Sequence, residues 1–537
     1  MNCVKSYFTP KQKLDIQFNN NNGVIPLIPL KMIVEYLWFG NKFTRDDDTS
    51  EKVQWKFNLL LVSRNFYHVI SEHLEHNIKA PPTMTLSAKS IYQYFTSMIQ
   101  SNSILNTVKS LDCAGYSLVN LVELVKKGYQ NRTAEELNQI FFGSLKTLSI
   151  NQSLNQTVFI ELDEKMINDI YDCVCSTVES ITFKPYFMYN DYLKPLHAKQ
   201  SHFTHLTTLK FISVRIDPDF IVTICSLTKL KTLVFRAISI QNPPDMLILL
   251  KEFKNLVNLE VLTIRSDSYQ LANLMFSPEE LCNAMFKDGN GISDLFHLHT
   301  FQFFLPLENS SEGSLMALEK HLIEYLSFNS NLKYLGYHCG KPLDEHFAKY
   351  LLQVNQSLKK LKVYLPKTHI PKITNESLES LTCSLSCYSN DPTEEVIDAL
   401  NTALKGSKIN SIKFFHQFPA DIYNVLNSLP HLKTLRMGLR PIRNVKSQPS
   451  ISHIIRNCKN LEYLKLRVES TIFNLEYIME LFENGLTKLP KIKCMEIAST
   501  TDFITKAQVE TIIHQYNSTF FIWYDPIEHA LKLISRY

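Results

Sequence analysis

The chain has 537 residues, 45% hydrophobic and 20% charged, enough to bury either three or four compact domains or one long repeat array. Its net charge of +4 is too close to zero for a whole-surface attraction to nucleic acid or membrane, so any such case must rest on local charge. No apolar run approaches the ~18 residues of a membrane span, and 13 glycines are few for phosphate-cradling loops.

The opening, Met1 to Phe18, mixes Lys, Gln, Asp and Tyr and has no apolar h-region, so no secretory leader is expected. The 11 cysteines are scattered without a CxxC pair, which predicts reduced thiols in a cytoplasmic or nuclear protein. Cys173 with Cys175, and Cys383 with Cys387, are expected to be buried as small hydrophobes rather than to bind metal. Residues 1–23, with the polar run Asn19–Asn22, are expected to be a flexible tether.

Residues 24–79 turn apolar and helical. Ile25-Pro26 is followed by Ile33 and Leu37, and a later stretch reads Val62-Ser63-Arg64-Asn65-Phe66. These residues resemble an F-box, a small all-α module. In its first half that family has L-P, an apolar residue seven further on and Leu four after that; in its second half it has V-C/S-K/R-x-W/F. The chain departs from the pattern at Ile28, where an acidic residue is usual, and at Pro29, where a helical apolar residue is usual. A polar stretch, Gly40 to Glu51, lengthens the spacing and can loop out. The resemblance implies a partner: the family's module docks on the Skp-type adaptor of a cullin-RING ubiquitin ligase. Pro26, Ile33, Leu37, Val62 and Phe66 are the positions it carries over to adaptor binding. The other reading is a helical cap for the repeats that follow. His68, His73 and His76 fall in this segment, but His68 is out of phase with the other two and a metal would need more ligands. Residues 80–103 are expected to be a linker or capping helix.

From residue 104 to 500 a short pattern recurs: apolar, two residues, apolar, one residue, apolar. Clear copies start at Leu145, Leu206, Leu230, Leu259, Leu298, Leu332, Leu358, Leu432, Leu461 and Ile492, with weaker ones at Val108, Val178, Leu378 and Ile409. The spacings run from 20 to 39 residues. The last two apolar positions alternate, as on a strand with one buried face. Helical periods lie between copies, at Leu315, Leu318, Leu322 and Leu326 and at Phe347, Leu351 and Val354. Ser277-Pro278-Glu279-Glu280 reads as a capped helix start, as does Asp391-Pro392. Such a unit cannot bury its apolar face alone, whereas stacked units close a continuous core.

This pattern resembles the leucine-rich-repeat family, although the Asn or Cys that usually follows the strand is mostly missing. The fold class expected is α/β: a leucine-rich-repeat solenoid, its curved parallel sheet lined outside by helices, preceded by the small all-α F-box-like module. F-boxes are often followed directly by such repeats. The span 266–296 is long for one repeat and is expected to carry an insertion at Lys287–Gly291.

Residues between and beside the inward apolar positions should face outward on the inner curve. They include Lys184, Lys210, Arg236, Arg265, Lys360, Lys362, Lys413, Arg436, Lys465 and Arg467, against only Asp112 and Glu496. Phe304, Tyr334, Tyr364, Phe415 and Tyr463 add aromatics. Such a surface would suit an acidic or phosphorylated protein segment. Two alternatives stay open: basic residues that merely keep a strand face soluble, and a single-stranded nucleic acid ligand as the lesser option.

No Walker loop, HExxH, GxSxG or kinase set occurs. The expectation is therefore a binding protein, not an enzyme, with no cofactor and no membrane partner. The tail, 501–537, is expected to cap the solenoid, with a helix carrying Val509, Ile512, Ile513 and Tyr516 and a second short helix ending in Leu533 and Ile534.

Overall fold

The computed structural model describes Asn77–Lys79, Ser110–Ala114 and most of residues 145–535; the larger gaps fall at 152–163, 184–189, 237–242, 267–276, 386–393, 419–425, 440–457, 469–477 and 484–490. Pro26, Ile33, Leu37, Val62 and Phe66 lie outside the described residues, as do Lys184 and the Asp391-Pro392 helix start.

Among the described residues one sheet of 17 strands organises the fold. The first five strands are β1 (Asn77–Lys79), β2 (Ser110–Ala114), β3 (Thr147–Asn151), β4 (Ser180–Phe183) and β5 (Thr208–Ile212). Then come β6 (Thr232–Arg236), β7 (Val261–Arg265), β8 (Thr300–Phe304), β9 (Tyr334–His338) and β10 (Lys360–Leu365). The rest are β11 (Ser380–Leu385), β12 (Ser411–Phe418), β13 (Thr434–Leu439), β14 (Tyr463–Val468), β15 (Cys494–Ser499), β16 (Phe520–Asp525) and β17 (Ala530–Ser535). From β1 to β15 each strand pairs in parallel with the next.

Every copy of the repeated pattern lies on its own strand, β2 through β15, and all are in one register. The second apolar residue forms a continuous rung: Leu148, Ile181, Leu209, Leu233, Leu262, Phe301, Leu335, Leu361, Leu381, Ile412, Leu435, Leu464 and Met495. These side chains are buried and belong to one contiguous core. This is the architecture of a leucine-rich-repeat solenoid: each unit buries its strand face only against its neighbours.

Helices cover the core side. Those named below are α1 (Glu164–Val174), α2 (Asn190–Ala198), α3 (Pro218–Ser226), α4 (Pro243–Glu252), α5 (Pro278–Phe286), α6 (Glu312–Phe328), α7 (Glu345–Lys349), α8 (Glu394–Leu404) and α9 (Lys506–Tyr516). Packed helices need about 8–10 Å of width each and strands about 4.8 Å, so the sheet must line the inner curve. The 20-residue spacing between β10 and β11 has no described helix; Ile370 and Ile373 fill the core there from irregular backbone.

The start of α5 follows the sequence closely. Ser277 Oγ accepts from the Glu280 amide at 3.1 Å, and the Glu280 carboxylate accepts from the Ser277 amide at 2.8 Å, with Pro278 at the first helical position. Gly291 then turns the chain back with φ of +61°, hard against the α5 backbone. Leu315, Leu318, Leu322 and Leu326 are all buried on α6. The expected Phe347, Leu351, Val354 face is corrected: Val354 is 59% exposed and Leu352 is buried instead. The helix after α7 continues as a π turn over Tyr350–Val354, and its extra residue per turn rotates the apolar face.

The tail caps the sheet, but its last element is a strand, not the expected short helix. β17 pairs antiparallel with β15, and β16 pairs with β17. Leu531 and Leu533 point into the core on alternate positions, and the hairpin covers an edge that β15 would otherwise leave open. Val509, Ile512 and Tyr516 of α9 are buried above it. At the other end, β1 already belongs to the sheet, inside the span read as the F-box-like module.

Candidate functional site

The site is built on the strand face opposite the core. Alternation places three rungs there, at the first, third and fifth positions of each strand. Tyr334, Lys360 and Tyr463 occupy the first rung. Lys210, Lys362, Lys413, Arg436 and Lys465 occupy the middle one. Arg236, Arg265, Phe304, Tyr364 and Arg467 occupy the last. All thirteen are exposed or half-buried, while their strand neighbours are buried.

Over β8 to β10 these residues form an aromatic platform. The Lys362 Nζ lies 4.0 Å from the centre of the Phe304 ring, a cation–π contact. Gly336, between them on β9, makes room: a Cβ there would come within 2.8 Å of the Phe304 ring. The His338 ring stacks on Tyr364 with centroids 5.1 Å apart. Burial, with Lys362 nearby, holds the His338 imidazole below its ordinary range, so this ring is predominantly neutral at physiological pH. Burial likewise raises the Tyr334 phenol.

Over β12 to β14 the middle rung is cationic. Lys413, Arg436 and Lys465 are direct partners on successive strands, and Glu496 on β15 closes the row with a salt bridge to Lys465. Burial lowers the Lys413 ammonium, and Arg436, Lys465 and Arg265 lower it further. Arg236 and Arg265 are themselves direct partners.

The rung just before the strands behaves differently. Opposite charges there pair across repeats, at Lys146–Glu179 at 2.6 Å, Lys231–Glu260 at 2.7 Å, Lys359–Glu379 at 3.4 Å and Lys493–Glu462 at 2.6 Å, while Lys333 and Lys359 stand side by side in the same rung. Lys231 holds the Glu260 carboxyl below its usual range, and Lys493 does the same for Glu462. Exposed pairs of this kind are screened by solvent and contribute little to stability. Four glutamates stand among the lysines of this edge, whereas Glu496 is the acidic residue set beside the basic middle rung of β12 to β14.

Two groups went unread in the sequence. Gly336 and His338 sit at the rung positions of Lys362 and Phe304, so aligning the repeats would have found both. Asn329, Asn355 and Asn375 also escaped notice. Each is buried just before a strand, and its Oδ1 accepts an amide two residues on, at 3.0 Å in each case. The signal was N-x-x-L ahead of the strand, not Asn after it. Among the described residues Cys173, Cys175, Cys225, Cys282, Cys339, Cys383 and Cys458 are buried thiols, and no cluster able to hold a metal occurs there. Burial pushes the Cys225, Cys282 and Cys383 thiols up to about 12, which keeps them protonated and unreactive. No described helix is long and apolar enough to cross a membrane.

No protein-family model matches the chain, and no curated protein matches it. Solved structures that it resembles include an internalin, InlF, from Listeria monocytogenes, at 15% identity and a TM-score of 0.32, covering 70% of this chain and 87% of that one. Another is the leucine-rich repeat-containing protein LegL7 from Legionella pneumophila, at 11% identity and a TM-score of 0.27, covering 72% and 94%. Scores this low carry no weight; the repeat architecture stands on the strand register.

Proposed function

We propose that the chain is a protein-binding repeat receptor that selects substrates for a cullin-RING ubiquitin ligase. The observation that carries the binding half is the row of basic residues Lys413, Arg436 and Lys465 on successive strands of the inner face, on the same sheet face as the Phe304–Lys362 aromatic platform. The ligase half is supported by the F-box-like residues Pro26, Ile33, Leu37, Val62 and Phe66. In this reading the N-terminal module docks on a Skp-type adaptor and cullin, the repeats hold an acidic or phosphorylated protein, and other subunits transfer ubiquitin. The chain itself is not an enzyme and needs no cofactor. Its compartment is the cytoplasm or nucleus.

A second reading is favoured by one observation: β1 extends the sheet into the segment assigned to the module. There the N-terminus is only a cap and the chain is a ligase-independent scaffold. Co-expression with a Skp-type adaptor and cullin separates the two. Capture by the full chain, lost in a Val62→Asp, Phe66→Asp variant that circular dichroism shows to be folded, is expected. No capture by the intact, folded chain leaves the scaffold.

A further inference from the structure

An open strand edge exposes a row of backbone donors and acceptors, and folded chains blunt such edges with short strands, lysine, proline, bulges or a covering segment. The two ends of this sheet differ in that respect. At one end β1 is 3 residues long and finishes in Lys79. At the other, β17 pairs with β15 and β16 with β17, so among the described residues β16 is the last strand. Its sequence is Phe520-Phe521-Ile522-Trp523-Tyr524-Asp525, with no lysine and no proline. Its ladder with β17 runs unbroken from Phe520–Ser535 to Asp525–Ala530, so no bulge bends it away.

The ladder also fixes which backbone groups of β16 face outward. The Ser535 amide donates to the Lys493 carbonyl, so the odd-numbered residues of β17 turn their backbone groups to β15 and the even-numbered ones to β16. Lys532 is the partner of Trp523, which leaves the amide and carbonyl of Ile522 directed to the open side. On the core side Phe520 is buried, while Ile522 and Tyr524 pack against the core and stay partly exposed. The end of the solenoid thus combines an outward-directed ladder position with an apolar layer that stops at the rim.

We propose that β16 pairs antiparallel with β16 of a second copy about a two-fold axis at Ile522, joining two solenoids end to end. The two Ile522 residues exchange both backbone hydrogen bonds. Phe520 of each copy comes opposite Tyr524 of the other, an aromatic cross-strand pair on the core side. The one charge of the strand, Asp525, comes opposite Thr519 and about 20 Å from its counterpart at about 3.3 Å per residue, so like charges do not meet. The axis stands normal to the sheet, which puts both cores on one side and makes them continuous through Ile522 and Tyr524. Such an interface is self-complementary and closes at two copies. One strand pair covers less than the ~1,200 Å² of a stable interface, so the expected dissociation constant is about 1–100 µM.

The test is sedimentation velocity of the full chain across about 1–100 µM, on wild type, Ile522→Lys, Ile522→Glu and an equimolar mixture of the two variants. Wild type should pass from monomer to dimer over that range. Each variant alone should weaken association at least tenfold, because it sets like charges against each other at the axis. The mixture should restore it, which a misfolded variant would not do. Ile522→Cys, a milder change, should give a disulfide-linked dimer with oxidised glutathione, since paired Cα atoms about 5.5 Å apart suit that bond. Phe328→Cys, which is 79% exposed and far from β16 in the chain, should give no more than wild type. A monomer at every concentration overturns the proposal, as does a dimer unchanged in both charged variants. Restoration by the mixture or the Ile522→Cys cross-link supports it, and absence of both overturns it. Hydrogen exchange at the Ile522 amide identifies the occupant. Protection that rises with concentration is expected; protection independent of concentration places a segment of the same chain on the edge and overturns the second-copy assignment.

Discussion

Replacing Phe211 by alanine should remove the hinge of the N-terminal core. The ring is fully buried on β5 and stacks on Phe183 at 5.3 Å and on Phe235 at 5.5 Å, so it bridges three consecutive repeats. The edge of Phe220 from α3 meets it at 5.1 Å. Truncating a buried phenylalanine costs about 3–5 kcal/mol. Ring pairs of this geometry contribute about 0.5–1.5 kcal/mol each, and that contribution is already inside the measured range. Three such pairs put Phe211→Ala near the upper end, about 5 kcal/mol. Because each repeat touches only its neighbours, the damage should stay local. Hydrogen exchange should speed up across β4 to β6 and α1 to α3, while β10 to β15 keep their protection. Urea unfolding would then show an early phase that Phe211→Leu largely restores. A loss below about 2 kcal/mol, or a uniform loss of protection from β4 to β15, would refute the view of a core held by nearest-neighbour stacking.

Gly291→Ala should destabilise far more than Gly406→Ala. Both glycines have positive φ, a conformation that costs an L-residue about 1–2 kcal/mol. A Cβ at Gly291 would also sit 2.5 Å from the Met285 backbone, whereas none meets anything within 4 Å at Gly406. Thermal melts of the two variants test this, and equal shifts would count against the turn described. Glu319 on α6 is buried and accepts from the Asp344 amide at 3.0 Å; burial raises its carboxyl to about 8, from 4.5. The folded state thus holds a proton that the unfolded state has released. Its contribution to stability is complete below about 4.5 and is lost as pH rises through about 8. Urea midpoints of the wild type should fall over that window, and those of Glu319→Gln should stay level; parallel curves would refute the assignment.

The strands are legible in the sequence because their signal is local and repeated. Leu-x-x-Leu-x-Leu needs only alternation, and it recurs often enough to set the register of every rung. The charged inner face follows from the same alternation, which is why Lys413, Arg436 and Lys465 can be assigned to it from the pattern of apolar residues around them. What escaped was decided by geometry beyond the period. Val354 failed because a π turn shifted the helix phase. Leu533 failed because an open sheet edge, not local propensity, fixes its conformation. The platform needed two facts together: that Gly336 lies between Phe304 and Lys362, and that no side chain there keeps the ring and the ammonium apart.

The central claim is that one end of this chain recruits a ligase and the inner face of the repeats recruits its substrate. The most direct measurement is quantitative affinity capture from cells with a blocked proteasome, comparing wild type, Val62→Asp, Phe66→Asp and Lys413→Gln, Arg436→Gln. The account predicts a double dissociation. The first variant should lose the adaptor and cullin and keep a set of acidic or phosphorylated proteins; the second should lose that set and keep the adaptor. If the inner-face variant retains the same proteins as wild type, or if neither variant alters adaptor capture, the account is contradicted.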